Sequence, residues 1–527
     1  MLKADELVPL TPVEQELYTQ LVPADHFLRR LLAMIDCERF RPVLEACYCG
    51  DQGRPAVDPV CMLKLEIVSR HYNLSDREVM AQTQVNVAFR LFVGLSLRSP
   101  LPHHTSLTHF RDRVGAEQLQ EIFHTLLGQA RELGLVRDRL RLKDATHIIA
   151  NIAIPSTLRL VADTREQLLA ALRPLAAAQV EQEQQRAEAI RQASADLKDE
   201  ERLVRRVAHL QAVLAWADEV PGQERFHQAA AAVQEQLRQA LGVAHKVLAD
   251  RDPQAQDKLL SVHDPDARRG KHGAYYEGYL LDVAMDADSE LITGVNVLPA
   301  NGNEAADATH LIRQEEQAHG NDVEAISIDG AGFRGTLLRE LTDPQGLNLE
   351  VFVPPSPQPV AGPFQPEQFT LSADGATLTC PAGQTATCRN KAFDNVGRRF
   401  IFAESACGNC PLRQQCLANP AVKQRTVLKN FYEAEYRAAR AKAQTAAYAE
   451  VRRQHPRIER KLAELVCRHN ARHARYRGRD RVLRQGILTA LVVNLKRLVR
   501  LATAGLAHAV SPPPTTVMVR AELAAAG

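Results

Sequence analysis

The order of strand-like and helix-like stretches between residues 140 and 354 constrains this chain more than any other feature. LRLKDATHIIANIAI, residues 140 to 154, is rich in branched residues with two-residue alternation and predicts a strand. After a long helical stretch comes YYEGYLLDVAMDADSELITGVNVLPA, two alternating runs about Asp286-Ala287-Asp288-Ser289, which reads as a β-hairpin. A helix (AADATHLIRQEEQAH), an apolar run that stops on Asp329 (EAISID), a second helix (GTLLRELTD) and a short strand (LNLEVFVP) complete the series. Strand, hairpin, helix, strand, helix, strand is the order of an α/β core, a mixed sheet flanked by helices.

At 527 residues the chain exceeds one ordinary core, and the remainder divides around this one. Residues 1–135 read as a helical N-terminal domain. Asp58-Pro59 opens one helix there, Ser75 with Glu78 forms a capping-box pattern, and HHTSLTHFRDRVG looks like a further capped helix. Short helices joined by polar turns suit a helix-turn-helix module that binds DNA ends, and equally a plain packing or dimerisation unit. Residues 136–162 carry the first part of the core. Residues 163–257 insert a long helical hairpin, with Leu203, Val207, Leu210 and Leu214 in a coiled-coil-like seam, a break at Pro221-Gly222, and a second run through Phe226, Ala230, Val233, Leu237 and Leu241. The core continues over 258–354. A Pro/Cys-rich insertion spans 355–425, a basic helical segment 426–508, and a disordered tail 509–527.

A composition of 45% hydrophobic and 24% charged residues is that of a soluble globular protein. No apolar stretch approaches the roughly 18 to 20 residues of a membrane span, and MLKADELVPLTPVEQ lacks the apolar core of a signal peptide, so a cytoplasmic location is expected. The formal charge of +2 says little, but its distribution says more. From Arg452 to Arg500 there are 15 Lys or Arg against three acids, the electrostatic footprint of phosphate binding. Arg457, Arg460, Lys461, Arg472, Arg475 and Arg477 are the candidate DNA contacts in that block.

Three carboxylates suggest chemistry. Asp144 and Asp329 stand on two strands of one expected sheet, and Glu459 lies at the inner edge of a helical face defined by Ile458, Leu462, Leu465 and Val466. A carboxylate placed there is costly unless it meets a cation. Mg²⁺ prefers hard oxygen ligands, and two such ions can activate the attacking oxygen and stabilise the leaving one in a displacement at phosphorus. Each residue also has a plain structural reading: Asp144 as an isolated polar group in a strand, Asp329 as a cap or turn residue, Glu459 as an intrahelical partner of Arg or Lys.

Five of the ten cysteines fall within 37 positions, with Cys407-x2-Cys410-x5-Cys416 following Cys380 and Cys388. Two thiolates separated by two residues can reach one tetrahedral ion from a tight turn, which points to a structural Zn²⁺ held by Cys380, Cys407, Cys410 and Cys416, with Cys388 as the alternate fourth ligand. Free thiols in a small loop domain are the alternative. Cys37, Cys47, Cys49, Cys61 and Cys467 are scattered and read as small hydrophobes.

The chain resembles a bacterial insertion-sequence transposase of the DDE class, most closely the family numbered eleven eighty-two. The likeness is carried, in order, by RPAVDPVCMLKLEIVSRHYNLSDREV with FRLFVGLSL, LKDATHIIANIA, HDPDARRGKHG with GYLLDVAMDADSELITGVNVLPANGNEAAD, ISIDGAGFRG, CGNCPLRQQC, and RIERKLAELVCRHNARHARYRG with VVNLKRL. It implies that Asp144, Asp329 and Glu459 match the three metal-binding acids of a ribonuclease-H-like core, holding two Mg²⁺ (or Mn²⁺) ions, with the helical hairpin inserted after the first strand. It further implies double-stranded DNA, both element ends and target, as the partner, and a homodimer on DNA. Two positions depart from the pattern. Related transposases often carry Arg four residues before the Glu and Lys seven after it, where this chain has His455 and Val466; Arg452, Arg453, Arg457, Arg460 or Lys461 could supply the charge. Asp264 and Asp266 are second choices for metal ligation, although Asp-Pro-Asp commonly forms a turn. The alternatives to a transposase are a metal-dependent nuclease without strand transfer and a zinc-dependent DNA-binding protein that does not cut.

Overall fold

The computed structural model of the chain describes residues 10–50, 55–303, 305–356, 364–391, 396–417, 419 and 421–503. The tail expected to be disordered from residue 509 lies outside them.

Seven helices form the N-terminal region: α1 (Pro12–Leu21), α2 (Phe27–Met34), α3 (Arg41–Glu45), α4 (Pro59–His71), α5 (Asp76–Val85), α6 (Val87–Val93) and α7 (Thr105–Glu132). Two of the three start signals act as the sequence suggests, whereas α7 begins without a side-chain cap at His104. Asp58 caps α4 by accepting the Cys61 N–H at 2.8 Å, and Ser75 and Glu78 close both bonds of the capping box on α5. The helix expected over 103–115 runs on instead to Glu132, kinked at Gly115, where φ of +74° suits glycine alone. Almost every side of α4 is buried, so Glu66, at 0% exposure, needs the Arg111 guanidinium of α7 at 2.5 Å.

The core sheet contains β1 (Arg141–Ile149), β2 (Arg268–His272), β3 (Ala274–Asp286), β4 (Ile292–Pro299), β5 (Ala325–Ser327) and β6 (Glu350–Phe352). β3 pairs antiparallel with β1 on one edge, and with β2 and then β4 on the other; β1, β5 and β6 run parallel. The expected hairpin turns at Asp286, whose carboxylate accepts the Ser289 N–H at 2.8 Å. β2 and its own hairpin with β3 were not expected from the sequence. Gly278 lets β3 pass β1 closely, since a Cβ there would stand 2.0 Å from the Ile148 carbonyl oxygen.

One sheet face, through Leu142, Ile148, Leu281, Val283 and Val295, joins the main apolar core with Ile458, Leu462, Ile487 and Leu491. The opposite face carries buried charge. Arg141 meets Asp286 at 3.0 Å and Glu315 at 2.6 Å, and Lys143 meets Asp282 at 2.9 Å. Glu315 belongs to α12 (Asp307–His319).

The insertion after β1 holds α8 (Thr157–Ala193), α9 (Asp199–Glu219), a short α10 (Glu224–His227) and α11 (Ala231–Ala249). The expected hairpin of two helices is a bundle of four rods, because α8 folds back on itself at Pro174 and Ala176. Residues 159–169 and 184–191 therefore line the same cleft, and Arg206 of α9 reaches the Leu158 carbonyl at 2.9 Å. Leu210, Leu214, Phe226 and Leu237 enter its core as their spacing suggests.

After α13 (Gly335–Thr342) and β6, a five-stranded antiparallel sheet forms from β7 (Thr370–Leu371), β8 (Thr377–Thr379), β9 (Thr385–Lys391), β10 (Gly397–Ile401) and β11 (Thr426–Asn430), with α14 (Glu404–Gly408) and α15 (Arg413–Cys416) beside it. The chain returns through α16 (Glu433–Lys442), α17 (Ala446–Gln454), α18 (Pro456–His469) and α19 (Arg479–Thr503). Asn494 of α19 bonds both the N–H and the C=O of Ile292, at 2.8 and 2.7 Å, which locks that helix to β4. No described helix is long and apolar enough to cross a membrane.

Candidate active site

The register of the parallel pair places the two aspartates. Arg141 lies opposite Ile326 and Leu142 opposite Ser327, so two residues further on Asp144 comes alongside Asp329. Adjacent strands are about 4.8 Å apart, which puts both side chains at one level of the sheet. Asp144 is half-buried and accepts the N–H of Ala145 at 2.8 Å. Asp329, also half-buried, caps the single 3₁₀ turn Gly330–Gly332 by accepting the Ala331 N–H at 3.1 Å. The plain reading of Asp329 as a cap is thus physically correct, and it leaves the second carboxylate oxygen for other work.

Glu459 arrives on α18, which packs across β1 on the face that Asp144 shares with Leu142. Its carboxylate is exposed in the first turn of the helix, where negative charge suits the macrodipole. The junction of α17 and α18 is pinned to the end of β5. Arg452 donates to the Ser327 Oγ at 3.1 Å and to the Ile328 carbonyl at 2.9 Å, and His455 Nδ1 stands 3.1 Å from the same Oγ. Burial, with the Arg452 charge beside it, holds the His455 imidazole down at about 4. A neutral ring leaves Nδ1 free to accept the Ser327 O–H, since Arg452 can only donate. His455, which replaces the expected Arg, is thus a tether.

Arg452 links the three acids electrostatically. Burial lowers its guanidinium from the usual range, while Tyr448, Asp329, Glu459 and Asp144 act in the opposite direction. One cation therefore lies in the field of all three carboxylates, which come from three distant parts of the chain. Sequence reasoning named Arg452 only among five possible sources of charge. Its position seven residues before Glu459, across a helix junction, gives no periodic signal. Among the described residues, no three or more His, Cys, Asp or Glu side chains stand close enough to hold a metal ion. The three acids do not form a closed ligand set in this conformation.

The other candidate residues are distributed unevenly. Arg460 and Arg477 are exposed, Arg477 with its Nε on the Asn151 carbonyl at 3.0 Å. Arg457 donates to Ala287 O at 2.6 Å, Arg472 to His147 O at 2.6 Å, and Arg475 to the Asn73 side chain at 2.5 Å. Lys461 is 5% exposed and paired with Glu464, so it faces no solvent in this conformation. Asp264 and Asp266 serve the fold. Asp264, at 0% exposure, accepts the Tyr279 hydroxyl and the Gly478 N–H, while Asp266 accepts the Arg479 N–H at 2.9 Å at the start of α19.

Cys380, Cys407, Cys410 and Cys416 line one cavity of about 20 Å³, room for a single water-sized species. Burial pushes the Cys416 thiol up, and Cys407, Cys380 and Cys410 add to the shift. Cys388 packs on the same small core but does not line the cavity.

Two family models match the chain: one described as a transposase domain (DUF772) over residues 16–113, and one described as a transposase DDE domain over residues 379–499. By its domains the chain is a DDE transposase. The matched spans cover most of the N-terminal helices, the four cysteines and Glu459, while Asp144 and Asp329 lie between them. DDE transposases are metal-dependent polynucleotidyl transferases, so DNA is the transposase's expected partner. No solved structure matches the chain significantly.

Proposed function

We propose that this transposase cuts DNA at the ends of its insertion sequence and joins the freed 3′ ends to target DNA, with Asp144, Asp329 and Glu459 as the metal-binding acids. The observation that carries the reading is the parallel register that brings Asp144 alongside Asp329, with α18, which carries Glu459, packed across β1. A ribonuclease-H-like core is supported by the strand order β4-β3-β1-β5-β6, antiparallel in its first three members and parallel in its last three. The closer likeness to the family numbered eleven eighty-two rests on the segment order given above.

Carboxylate oxygens are the hard donors a divalent cation such as Mg²⁺ takes, and binding it would require the three acids to draw closer than they stand here. Mg²⁺ or Mn²⁺ bound there as a pair would activate the attacking oxygen and neutralise charge on the leaving one. Arg452, fixed by Ser327 and Ile328, supplies a positive group to the scissile phosphate. Arg460 and Arg477 are exposed to hold the DNA backbone, whereas Arg457, Arg472 and Arg475 must release protein acceptors first. In the small sheet, Cys380, Cys407, Cys410 and Cys416 line one cavity, and drawing their sulfurs together onto a structural Zn²⁺ would complete that site. Two ends joined in one reaction require two active sites, hence a homodimer on DNA in the cytoplasm, at the nucleoid.

The test uses full-length protein, linear DNA ending in the element's terminal repeats, a target plasmid and Mg²⁺ or Mn²⁺. Joined products that depend on a free 3′-hydroxyl and vanish in Asp144→Asn are expected. Cutting without joining would leave a nuclease, and binding without cutting a DNA-binding protein.

A further inference from the structure

Strand β3 runs four residues past Gly278, its last partner on β1, and these residues pair with β2 as a two-stranded ribbon turning at Gly273, φ +73°. The ribbon is polar on one side and anchored on the other. Tyr276 is 8% exposed and packs on the His147 ring, with centroids 4.8 Å apart. Gly270 presses on Ala300, where a Cβ would stand 2.4 Å from the carbonyl oxygen. These contacts fix the ribbon as a rigid projection. Its outer side presents Arg269, Lys271 and Tyr275 to solvent, with Tyr275 70% exposed, while His272 lies on the anchored side against the His147 ring.

Exposing a tyrosine to this degree on a rigid strand has no packing benefit in the free protein. Lys271 and Tyr275 are direct cross-strand partners, with the Lys271 ammonium 5.6 Å from the ring centroid. Arg269 is held by Glu277 at 3.0 Å, but Lys271 makes no ion pair among the described residues. The loop before α19 lies alongside: Ile149 and Ala474 exchange backbone bonds with Arg472 and Ile149, and exposed Arg477 reaches Asn151. A basic ridge with one exposed aromatic ring therefore continues past the end of β1.

We propose that the β2–β3 ribbon is a second contact to the DNA duplex, with Lys271 on a backbone phosphate and Tyr275 packed against an adjoining sugar or base. This rests on the function proposed above. A two-stranded ribbon fits the major groove of B-DNA, and cation and aromatic side by side suit a phosphate and the base next to it. The sheet also sets the distance. Asp144 is opposite Val283, and Tyr275 lies eight residues before Val283 on the same strand. At ~3.3 Å per residue the ribbon is about 26 Å from the acids along the strand, or roughly eight base pairs of duplex.

Hydroxyl-radical footprinting on terminal-repeat DNA tests this, using full-length Asp329→Asn protein, which is expected to bind without cutting. Protection about eight base pairs from the cleaved bond is expected. It should disappear in Tyr275→Ala and in Lys271→Ala, while protection at the cleaved bond persists. Lys271→Ala should also lower the slope of log affinity against log salt by about 0.9, and Tyr275→Ala should weaken binding roughly fivefold or more. Both side chains are exposed, so matching melting curves separate lost contact from lost fold. Footprints identical to the parent's overturn the ribbon contact alone. A parent with no footprint at the cleaved bond overturns the function proposed above and this inference with it.

Discussion

Replacing Asp329 by Asn separates the two things this side chain does. As a cap, its oxygen accepts the Ala331 N–H at 3.1 Å, and Asn fills that role as well as Asp. Stability should therefore change by a few tenths of a kcal/mol, a melting shift under about 2 °C. As a charge, it is one of three acting on Arg452, and Asn removes it. Cleavage of terminal-repeat DNA should fall at least ~100-fold, the scale of losing one preorganised electrostatic group. A second readout needs no turnover. Mn²⁺ at 100 times its dissociation constant stabilises the parent by about 2.7 kcal/mol, and the variant should lose most of that gain. Asp329→Ala is the contrasting case, since it also drops the cap and should cost about 1 kcal/mol more in stability. Cleavage by the Asn variant at the parent rate would show that Asp329 only closes a turn. An Asn variant that no longer folds would show that its charge belongs to the structure.

Glu315→Ala should be among the most destabilising single changes in the core, because it strips a partner from Arg141, which is 0% exposed, and from Arg131 at 2.5 Å. About 3–5 kcal/mol in denaturant unfolding is expected, and a loss below 1 kcal/mol would mean Asp286 and Asp138 suffice for Arg141. The cysteine cavity predicts about one zinc per chain by atomic spectroscopy, lost in Cys407→Ser with unfolding confined to the small sheet. Protein that takes up no zinc even when refolded in its presence would leave these as plain thiols.

What the sequence discloses of this fold follows from how local each signal is. The alternation in LRLKDATHII suffices for β1 because its two faces meet different surroundings: Leu142 enters the apolar core, while Lys143 faces Asp282. Asp58 and Ser75 are legible as caps since their partners lie within three residues. The seam of α9 is legible in Leu210 and Leu214, but the turn-back of α8 is not. Pro174 lies between leucine- and alanine-rich stretches that are good helix formers, so pattern alone runs through it. β2 is invisible for the opposite reason: RRGKH has no apolar alternation, and only pairing with β3 makes it a strand.

The candidate site divides along the same line. Asp144 and Asp329 can be suspected from strand ends, yet their meeting depends on a parallel register that no local pattern encodes. Arg452 and His455 are harder still, because their roles come from Ser327, 125 and 128 positions away. Asp264 and Asp266 show the reverse case. Two acids beside the core look like ligands in sequence, but their partners are the Tyr279 hydroxyl and the backbone N–H groups of Gly478 and Arg479. Asp264 is fully buried and Asp266 is tied to the start of α19, so both act in the fold. Asp144 and Asp329 instead lie half-buried where β1 and β5 run in parallel, and α18, which carries Glu459, packs on β1.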